Sequence, residues 1–584
     1  MKFRKHLNSI FVRLGALVSL WQKNNRHEGK KTQGFTKYWM KTNPSLFKIE
    51  TSGKFLRLLF IVFISVSAPI VIGAQKINWP ISWDSTAIQQ KKNYLNSIEK
   101  TSSSKPNVIL IVADDLGYFD LSVYGNPYIQ TPNIDKLAYE GAICRNGYAT
   151  APICSPSRAG MLTGRYQQRF GYQMQPQQKY PGSKFEWWVF SRMNTSDIEP
   201  SPYTTYPSKS QLPKQGLPPS EVTITEMLKQ KGYATAWIGK WHLGYYEPVL
   251  PKNFGFDFTY GCYEAFTLFA DPNDKNIVNA RIDEFTDKHI WKKGRKGACA
   301  IRRNGKVIDE KEYLTYAFER EAKEFISTHK QEPFFLYLPV NAPHTPYQAP
   351  KEIYDSLSMI KQHSTRVYYS MIIALDKMVG NIVAHLKKEN IYENTLIIFT
   401  SDNGAALYSR TVTNEPLVGG KFTFYEGGIS VPLIFHYPKK IKPKTEILEP
   451  VMLFDIYATI ADVAEIPMMK ERQIDGVSLI PYLVDDGNNK KVHDQLYWYS
   501  DYNYAIRKGD WKLIVNKLDS TLELYRLNFE DKIENEEVSK DFEEVRLNLQ
   551  LELLKWKEEL PPMMWPRLVD YYFYNKGKLS LWGV

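Results

Sequence analysis

The chain has 584 residues, of which 43% are hydrophobic and 24% are charged, as in an ordinary globular protein. This length allows one large hydrophobic core and a smaller second unit. The formal net charge is +12, but residues 1–74 contain 13 Lys and Arg against two acidic residues, a local charge of +11. Only +1 remains for residues 75–584, which excludes a broad phosphate-binding surface and therefore a nucleic-acid partner.

The basic N-terminus contains an apolar stretch that is typical of a signal peptide. Leu58–Ile72 carries no charge, follows basic residues and is followed closely by the small residue Ala74. The stretch is short for a membrane span, and Pro69 interrupts it. We interpret residues 1–74 as a leader, with Met40 as an alternative start, and expect export to the periplasm or the medium. The competing interpretation is an uncleaved N-terminal anchor. We expect a membrane contact only if the apolar segment is not cleaved.

Residues 105–444 alternate between predicted strands and helices. The first strand, Asn107–Val112, is a continuous apolar run, as expected for a strand buried on both faces of a sheet. The other predicted strands are Tyr233–Ile238, Phe334–Leu338, Leu396–Thr400 and Val431–Phe435, and the predicted helices are Ile134–Tyr139, Thr223–Gly232, Tyr313–Thr328 and Thr365–Asn390. This alternation indicates an α/β catalytic domain with a doubly wound, mostly parallel sheet.

After residue 444 the pattern changes. Val451–Ile466 predicts a helix, because prolines stand directly before and after it. Short aromatic segments then predict antiparallel strands at Gln495–Tyr499, Tyr504–Arg507, Trp511–Val515 and Leu522–Tyr525. Phe542–Trp556 has the apolar spacing of a helix that covers this sheet. We predict a smaller C-terminal subdomain with an antiparallel sheet at residues 445–584.

Two segments show no periodicity. Residues 75–104 are polar and are interpreted as a linker into the first strand. Pro176–Pro213 is rich in Pro, Tyr, Trp, Ser and Lys, which is typical of a surface excursion. Because it follows soon after the strongest motif of the chain, a loop at the mouth of a pocket is the alternative interpretation.

The strongest motif is Cys154-Ser-Pro-Ser-Arg158. Pro156 suits the first turn of a helix, so Cys154 is expected at a helix N-terminus, where free N–H groups favour an anion. Arg158 lies four residues later on the same helix face. A buried structural cysteine is the alternative, and a cysteine phosphatase would need Cys-x5-Arg rather than the Cys-x3-Arg found here. The chain has too few cysteines for a disulfide scaffold, although one bridge stays open among the remaining three, Cys144, Cys262 and Cys299.

Acidic and amide side chains follow two predicted strands. Asp114 and Asp115 come directly after the first strand, and Asp402 and Asn403 follow Leu396–Thr400. The carboxyl ends of parallel strands gather ligand groups in open α/β sheets. Either pair alone would be a turn or a helix cap. Together with Cys154 they predict a metal site, and their oxygen ligands suit Ca²⁺ or Mg²⁺.

Further cationic and histidine side chains follow other strands. Lys240 and His242, in Gly239-Lys-Trp-His-Leu-Gly244, lie two residues apart and share one face of an extended segment. Lys240 is expected to bind an oxyanion, and His242 to orient or deprotonate a nucleophile. His344 lies in Ala-Pro-His-Thr-Pro after the Phe334–Leu338 strand, and Lys421 precedes Tyr-Glu-Gly-Gly. Considered without the other motifs, His344 would be interpreted as a histidine in a turn and Lys421 as a solvated lysine.

These strings resemble the sulfatase family, which has an alkaline-phosphatase-like fold. The resemblance covers about residues 105–525 and includes C-x-P-S-R with L-T-G-R, together with Gly-Lys-Trp-His-Leu-Gly. It implies a sulfuric ester hydrolase of the arylsulfatase or N-acetylgalactosamine-6-sulfatase type. Cys154 would be oxidised by a formylglycine-generating enzyme, and the geminal diol of formylglycine would be the nucleophile.

The resemblance also assigns the remaining roles. It implies Ca²⁺, with Mg²⁺ as the weaker candidate, bound by Asp114, Asp115, Asp402, Asn403 and modified Cys154. The implied catalytic residues around a sulfate ester are Cys154, Arg158, Lys240, His242, His344 and Lys421. His344 would contact the sulfate and protonate the leaving oxygen, and Lys421 would face the sulfate opposite Lys240.

Two alternatives use the same site differently. A phosphonate monoester hydrolase or phosphodiesterase shares the fold and the C-x-P-x-R string. A non-catalytic protein that binds anionic glycans would lack a catalytic residue, and no position of the motif is missing here. The sequence therefore favours a sulfatase acting on a small sulfated substrate, either an aryl sulfate or a sulfated sugar.

Overall fold

The structure is a computed structural model that describes residues 79–100, 105–193, 198–282, 287–484, 491–527, 532–575 and 578–583. The predicted leader at residues 1–74 lies outside these ranges, so its interpretation as a signal peptide or an anchor stays a prediction.

The helices and strands are numbered in chain order. The helices are α1 (Ser85–Ser97), α2 (Pro132–Tyr139), α3 (Cys154–Thr163), α4 (Lys184–Met193), α5 (Ile224–Lys231), α6 (Asp287–Lys293), α7 (Leu314–His329), α8 (Lys351–Ser356), α9 (His363–Lys388), α10 (Glu426–Ile429), α11 (Asp455–Val463), α12 (Ile480–Val484) and α13 (Glu543–Glu558). The strands are β1 (Asn107–Ala113), β2 (Ala142–Cys144), β3 (Gly147–Tyr148), β4 (Ile198–Pro200), β5 (Ala234–Lys240), β6 (Phe258–Cys262), β7 (Ile277–Ala280), β8 (Arg302–Arg303), β9 (Lys306–Val307), β10 (Phe334–Pro339), β11 (Tyr347–Pro350), β12 (Thr395–Ser401), β13 (Leu433–His436), β14 (Thr445–Ile447), β15 (Val451–Met452), β16 (Leu496–Ser500), β17 (Asn503–Lys508), β18 (Trp511–Asn516), β19 (Thr521–Arg526), β20 (Val569–Asn575) and β21 (Lys578–Gly583).

A large mixed sheet forms the centre of the fold, in the order β14-β2-β13-β12-β1-β10-β5-β6-β8-β9. The five neighbouring strands from β12 to β6 run parallel to one another. The predicted strand Val431–Phe435 is present as β13, but it pairs antiparallel to β12. The predicted α/β class with a doubly wound, mostly parallel sheet is thus confirmed.

Alternate residues of β1 enter opposite layers, which explains its continuous apolar sequence. Ile109 and Ile111 pack in one buried cluster with α7 and α9, whereas Val108 and Leu110 pack in a second one with α3, α5 and α11. Among the described helices, α9 alone is long and apolar enough to cross a membrane. Two thirds of its most apolar window is buried inside the protein, as in a core helix.

The C-terminal part carries smaller antiparallel sheets. Strands β16 to β19 form a four-stranded meander, and α13 packs against β17 and β18, as the sequence predicts. A second sheet joins β4, β20 and β21, none of which was predicted from the sequence. The first strand of the predicted 445–584 subdomain, β14, pairs with β2 in the large sheet.

Three segments contain elements that the sequence did not predict. The helix predicted from Val451 begins only at Asp455, because Val451 pairs with Gly147 as a short strand and Asp455 Oδ2 accepts the Met452 N–H. The predicted linker at 75–104 contains α1. Asp84 caps the N-terminus of this helix, because its side chain accepts hydrogen bonds from two backbone N–H groups. The Pro176–Pro213 segment, whose sequence shows no periodicity, contains α4 and β4.

All four cysteines are free and buried, so the disulfide left open by the sequence is not formed. Burial raises the pKa of the Cys144 thiol, as expected for a small apolar core residue.

Candidate active site

The carboxyl ends of four neighbouring parallel strands carry most of the predicted site residues. Ala113 of β1 pairs with Ser401 of β12, so Asp114 and Asp402 leave the sheet side by side. Lys240 is the last residue of β5, and His344 follows β10 in the loop before β11. Because β12, β1, β10 and β5 are adjacent, the sheet alone brings these segments together.

Cys154 is brought to this edge by the start of α3. The helix begins at Cys154 and is buried along its whole length. Its N-cap residue, Ile153, offers no side-chain cap, so free N–H groups remain at the end that carries Cys154. The Cys154 Sγ lies 3.4 Å from Asp114 Oδ1 and 3.6 Å from Asp115 Oδ1. The predicted meeting of the cysteine with the Asp pair is therefore present.

Each acidic side chain of the site also has a cationic neighbour. Lys240 Nζ donates to Asp114 Oδ2 at 2.7 Å, and Lys421 Nζ donates to Asp115 Oδ2 at 2.9 Å. Arg158 Nε donates to Asp402 Oδ2 at 2.8 Å. All these side chains are buried, so their mutual attraction is weakly screened by solvent.

The oxygen donors of the site, two carboxylates and an amide, suit a hard divalent cation. Ligand atoms of Asp114, Asp115, Cys154 and His344 all lie within 4.8 Å of one another. The amide of Asn403 donates to Asp115 Oδ1 at 2.8 Å, while its buried Oδ1 has no partner among the described residues. An unpartnered buried amide oxygen beside carboxylates is the arrangement that an oxygen-binding cation would satisfy.

The backbone at the site is unusual at three positions. Asp115, His242 and Phe422 adopt left-handed conformations, with φ of 60°, 57° and 76°. Side chains with a Cβ occupy this region at an energetic cost, and such strain clusters at functional sites. Phe422 directly follows Lys421, and its N–H donates to the Pro152 carbonyl, which ties the lysine loop to the segment before Cys154.

Burial and charge move the pKa values of the two neighbouring carboxyl groups in opposite directions. Burial raises the pKa of Asp114 to about 7, because it outweighs the attraction of Lys240. Burial also acts on Asp115, but Lys421 and His344 together hold the pKa of that carboxyl below its usual range. Asp115 therefore keeps a firm negative charge, which suits a ligand of a cation.

Both histidines of the site are neutral in the structure. Burial, with Lys240 next in importance, lowers the pKa of His242 well below its usual value. Burial lowers the pKa of His344 to about 3 despite the nearby Asp115. The His242 carbonyl accepts from Ser155 Oγ, whereas its ring Nδ1 has no partner within the described ranges. A neutral imidazole with a free nitrogen is able to accept a proton.

Side chains of β3, β18 and β19 contact the Lys421 loop, and no sequence pattern predicted these contacts. Lys512 of β18 donates to Glu426 Oε1 at 2.7 Å, and Tyr148 donates to Glu426 Oε2 at 2.8 Å. Tyr425 donates to Glu523 Oε2 of β19 at 2.6 Å. These side chains are buried. The isolated polar residues that the sequence places inside the aromatic strands were the one signal that could have revealed this network.

Comparison with known protein families identifies the family of the chain. A family model described as Sulfatase matches residues 106–466, and one described as N-sulphoglucosamine sulphohydrolase, C-terminal, matches residues 420–559. The chain belongs to the sulfatase family. The sulfatase is therefore an enzyme that hydrolyses sulfate esters.

Its relatives agree with this assignment. The sulfatase is 30% identical over 417 residues to N-acetylgalactosamine-6-sulfatase of Canis lupus familiaris, covering 70% of this chain and 71% of the relative. It is 32% identical to Ps i-CgsB, whose crystal structure matches with a TM-score of 0.65 over 79% of this chain and 94% of that one. Ps i-CgsB has also been crystallised in complex with k-i-k-neocarrahexaose, with the same degree of similarity.

The fold also occurs in an enzyme named for a different reaction. A phosphonate monoester hydrolase of Agrobacterium radiobacter shares the fold of the sulfatase, with 19% identity, a TM-score of 0.52 and coverage of 78% of this chain and 96% of that one. At this identity the likeness concerns the fold alone.

Proposed function

We propose that this sulfatase removes sulfate from a sulfated sugar, with Cys154 matured to formylglycine and with Ca²⁺ bound by Asp114, Asp115, Asp402 and Asn403. The observation that carries the proposal is the buried contact of Cys154 Sγ with both Asp114 and Asp115 at a helix N-terminus. The formylglycine diol would supply the nucleophilic hydroxyl, and Ca²⁺ would act as a Lewis acid on the sulfate.

The cationic residues bind the sulfate group. Lys240 contacts the Asp114 carboxylate and Lys421 contacts the Asp115 carboxylate. The two lysines therefore offer two ammonium groups to one tetrahedral anion. Arg158 keeps the Asp402 carboxylate in place from the side of the helix. This division of roles explains why three buried cations are needed around one small site.

The two histidines move protons. His242 is unprotonated and has a ring nitrogen without a partner among the described residues, so it is positioned to accept the proton of the nucleophile. His344 is neutral without substrate. A bound sulfate ester places negative charge beside it, which raises its pKa again and allows it to protonate the leaving oxygen.

The oxygen donors favour Ca²⁺ over Mg²⁺. The candidate ligands are carboxylate and amide oxygens on loops that follow different strands, and Ca²⁺ tolerates a more flexible ligand arrangement than Mg²⁺ does. The partners of the chain would then be a sulfated glycan and a host formylglycine-generating enzyme. Residues 1–74 would direct export to the periplasm or the medium, and N-terminal sequencing of the native protein should begin near Gln75.

A substrate panel tests the proposal. Sulfate, phosphate and phosphonate esters of 4-nitrophenol are compared with chondroitin sulfate, fucoidan and carrageenan, using wild type and the Cys154→Ala variant. We expect sulfate release from the aryl sulfate and from at least one glycan, and none from the variant. Faster turnover of the phosphonate ester than of every sulfate would favour the phosphonate hydrolase, and undiminished turnover by Cys154→Ala would remove the nucleophile assignment.

A further inference from the structure

An exposed aromatic row lies on α4, in the segment that the sequence analysis left as a surface excursion. Phe185 and Trp188 are 71% and 46% exposed, although they are large apolar residues. Their rings are stacked with centroids 6.0 Å apart, as the three-residue helical spacing allows. The Arg192 guanidinium lies 4.0 Å from the Trp188 ring centroid, one further turn along. Exposed stacked aromatics of this kind mark interaction surfaces.

Cationic side chains lie on α4 and on the segment that follows it. Lys184, Arg192 and Lys209 form no ion pair with any described residue, whereas Lys179 pairs with Glu186. Within Pro176–Pro213 the four cationic residues outnumber the three acidic ones by one, and the acidic residues are Glu186, Asp197 and Glu199. Arg is suited to bidentate binding of sulfate oxygens, and aromatic rings are suited to the apolar face of a sugar.

A continuous set of contacts connects this helix to the catalytic Lys421 loop. Trp187 Nε1 of α4 donates to the Ser201 carbonyl just after β4, and Ile198 of β4 pairs with Tyr571 of β20. The Tyr571 ring lies 5.7 Å from that of Phe422, the residue after Lys421. Phe190 of α4 packs against the same apolar cluster as Phe422. The helix is therefore connected through β4 and β20 to the residue that directly follows Lys421.

We propose that Phe185, Trp188 and Arg192 form a binding site for a sugar unit of a sulfated oligosaccharide whose sulfate ester, at another unit, occupies the catalytic site. The inference rests on the proposed sugar substrate and adds that the substrate is longer than one or two sugar units. The structural relative crystallised with a neocarrahexaose shows that a six-unit sugar is accommodated by a protein of this fold. Phe185 and Trp188 contact the sugar ring, and Arg192 pairs with one of its sulfates.

The test compares substrates of different chain length in one double variant and one single variant. The glycan is the one in the panel that wild type desulfates fastest, used as polymer and as disaccharide. For Phe185→Ala/Trp188→Ala we expect a KM roughly tenfold higher on the polymer with kcat unchanged, and unchanged kinetics on the disaccharide and on 4-nitrophenyl sulfate. Arg192→Gln should raise the polymer KM in low salt and have less effect in high salt.

A matched control removes two other exposed apolar side chains from a helix. Leu547 and Leu551 of α13 are 45% and 56% exposed, and Leu547→Ala/Leu551→Ala should leave all three substrates unaffected. An unchanged polymer KM in the aromatic variant would overturn the site, as would an equal loss on the aryl sulfate. If the aromatic variant keeps its polymer KM but no longer binds anionic phosphatidylserine vesicles, the aromatic row is a membrane contact. If it keeps its polymer KM but changes its oligomeric state, the row is a contact with a second copy of the chain. Aryl sulfate turnover without any glycan turnover would instead refute the sugar substrate itself.

Discussion

Arg158 Nε donates to Asp402 Oδ2 at 2.8 Å, although 244 residues separate them in the chain. The Arg158 Nη2 also lies 2.7 Å from the same oxygen, and neither side chain is exposed. The contact joins the start of α3 to the carboxyl end of β12. The helix that carries Cys154 and the strand that carries two predicted metal ligands are thereby fixed to each other.

Arg158→Ala should destabilise the protein as well as abolish activity. Removing one partner of a buried ion pair leaves Asp402 uncompensated, which costs about 3–5 kcal/mol of unfolding free energy. Urea unfolding of the purified variant measures this loss. Lys136→Ala, which breaks an exposed pair with Glu140 on α2, is the control and should change stability by less than about 1 kcal/mol. Equal stability of the two variants would show that the Arg158 pair contributes nothing to the fold.

The Lys512 contact with Glu426 should support catalysis from outside the catalytic loop. Lys512→Met leaves the buried Glu426 and Glu534 carboxylates without their shared ammonium group, so we expect a loss of about 3 kcal/mol in stability and a lower kcat. Lys508→Met on the preceding strand breaks an exposed pair with Glu552 and is the matched control. The measurements are urea unfolding and steady-state kinetics with 4-nitrophenyl sulfate. A normal kcat in Lys512→Met would mean that the loop holds Lys421 without help.

Stability should depend on pH through His493. Its Nε2 lies 2.9 Å from Asp455 Oδ2, and although burial lowers its pKa, the Asp455 carboxylate outweighs burial and raises the pKa above the ordinary value. A raised folded-state pKa contributes stability that is fully present below the unfolded value of about 6.5 and is lost as the pH rises through the folded pKa. The Tm of wild type should therefore fall relative to His493→Gln as the pH rises above about 6.5. Parallel Tm profiles in the two proteins would refute this linkage.

Metal removal should reduce both activity and stability. Treatment with EGTA should lower the Tm, because a bound cation stabilises the folded state by about 2.7 kcal/mol at a hundredfold excess over its Kd. Added Ca²⁺ should restore the Tm more fully than added Mg²⁺. Asn403→Ala should weaken the calcium response, since it removes the unpartnered buried amide oxygen. Asn394→Ala, which removes a half-buried amide outside the site, is the control. A Tm indifferent to EGTA in wild type would contradict the calcium assignment.

Much of this architecture could be predicted from local sequence. The apolar runs at Val108–Val112 and Leu396–Phe399 gave buried parallel strands, and strand ends in such a sheet necessarily converge, so Asp114 and Asp402 were placed together correctly. Helix α5 begins after its N-cap Thr223 and ends before Gly232, its C-cap in the left-handed conformation, as the chemistry of these two residues predicts.

The rest depended on contacts that no local pattern encodes. Val451 has the apolar spacing of a helix, yet it pairs with Gly147, more than 300 positions earlier in the chain. The strand β4 is three residues long and exists only because β20 provides its ladder. Distant partners of Glu426 lie on β3, on β18 and on the segment after β19, so its role could not be deduced from the Tyr-Glu-Gly-Gly string.

The most direct measurement is the mass of the tryptic peptide that spans residues 146–158 in active protein from the native host. The account predicts a mass about 18 Da below that of the unmodified peptide, because the Cys154 thiol has become an aldehyde, a product outside the ordinary oxidation ladder of cysteine. An intact thiol at residue 154 in protein that turns over sulfate esters at full rate would contradict the account.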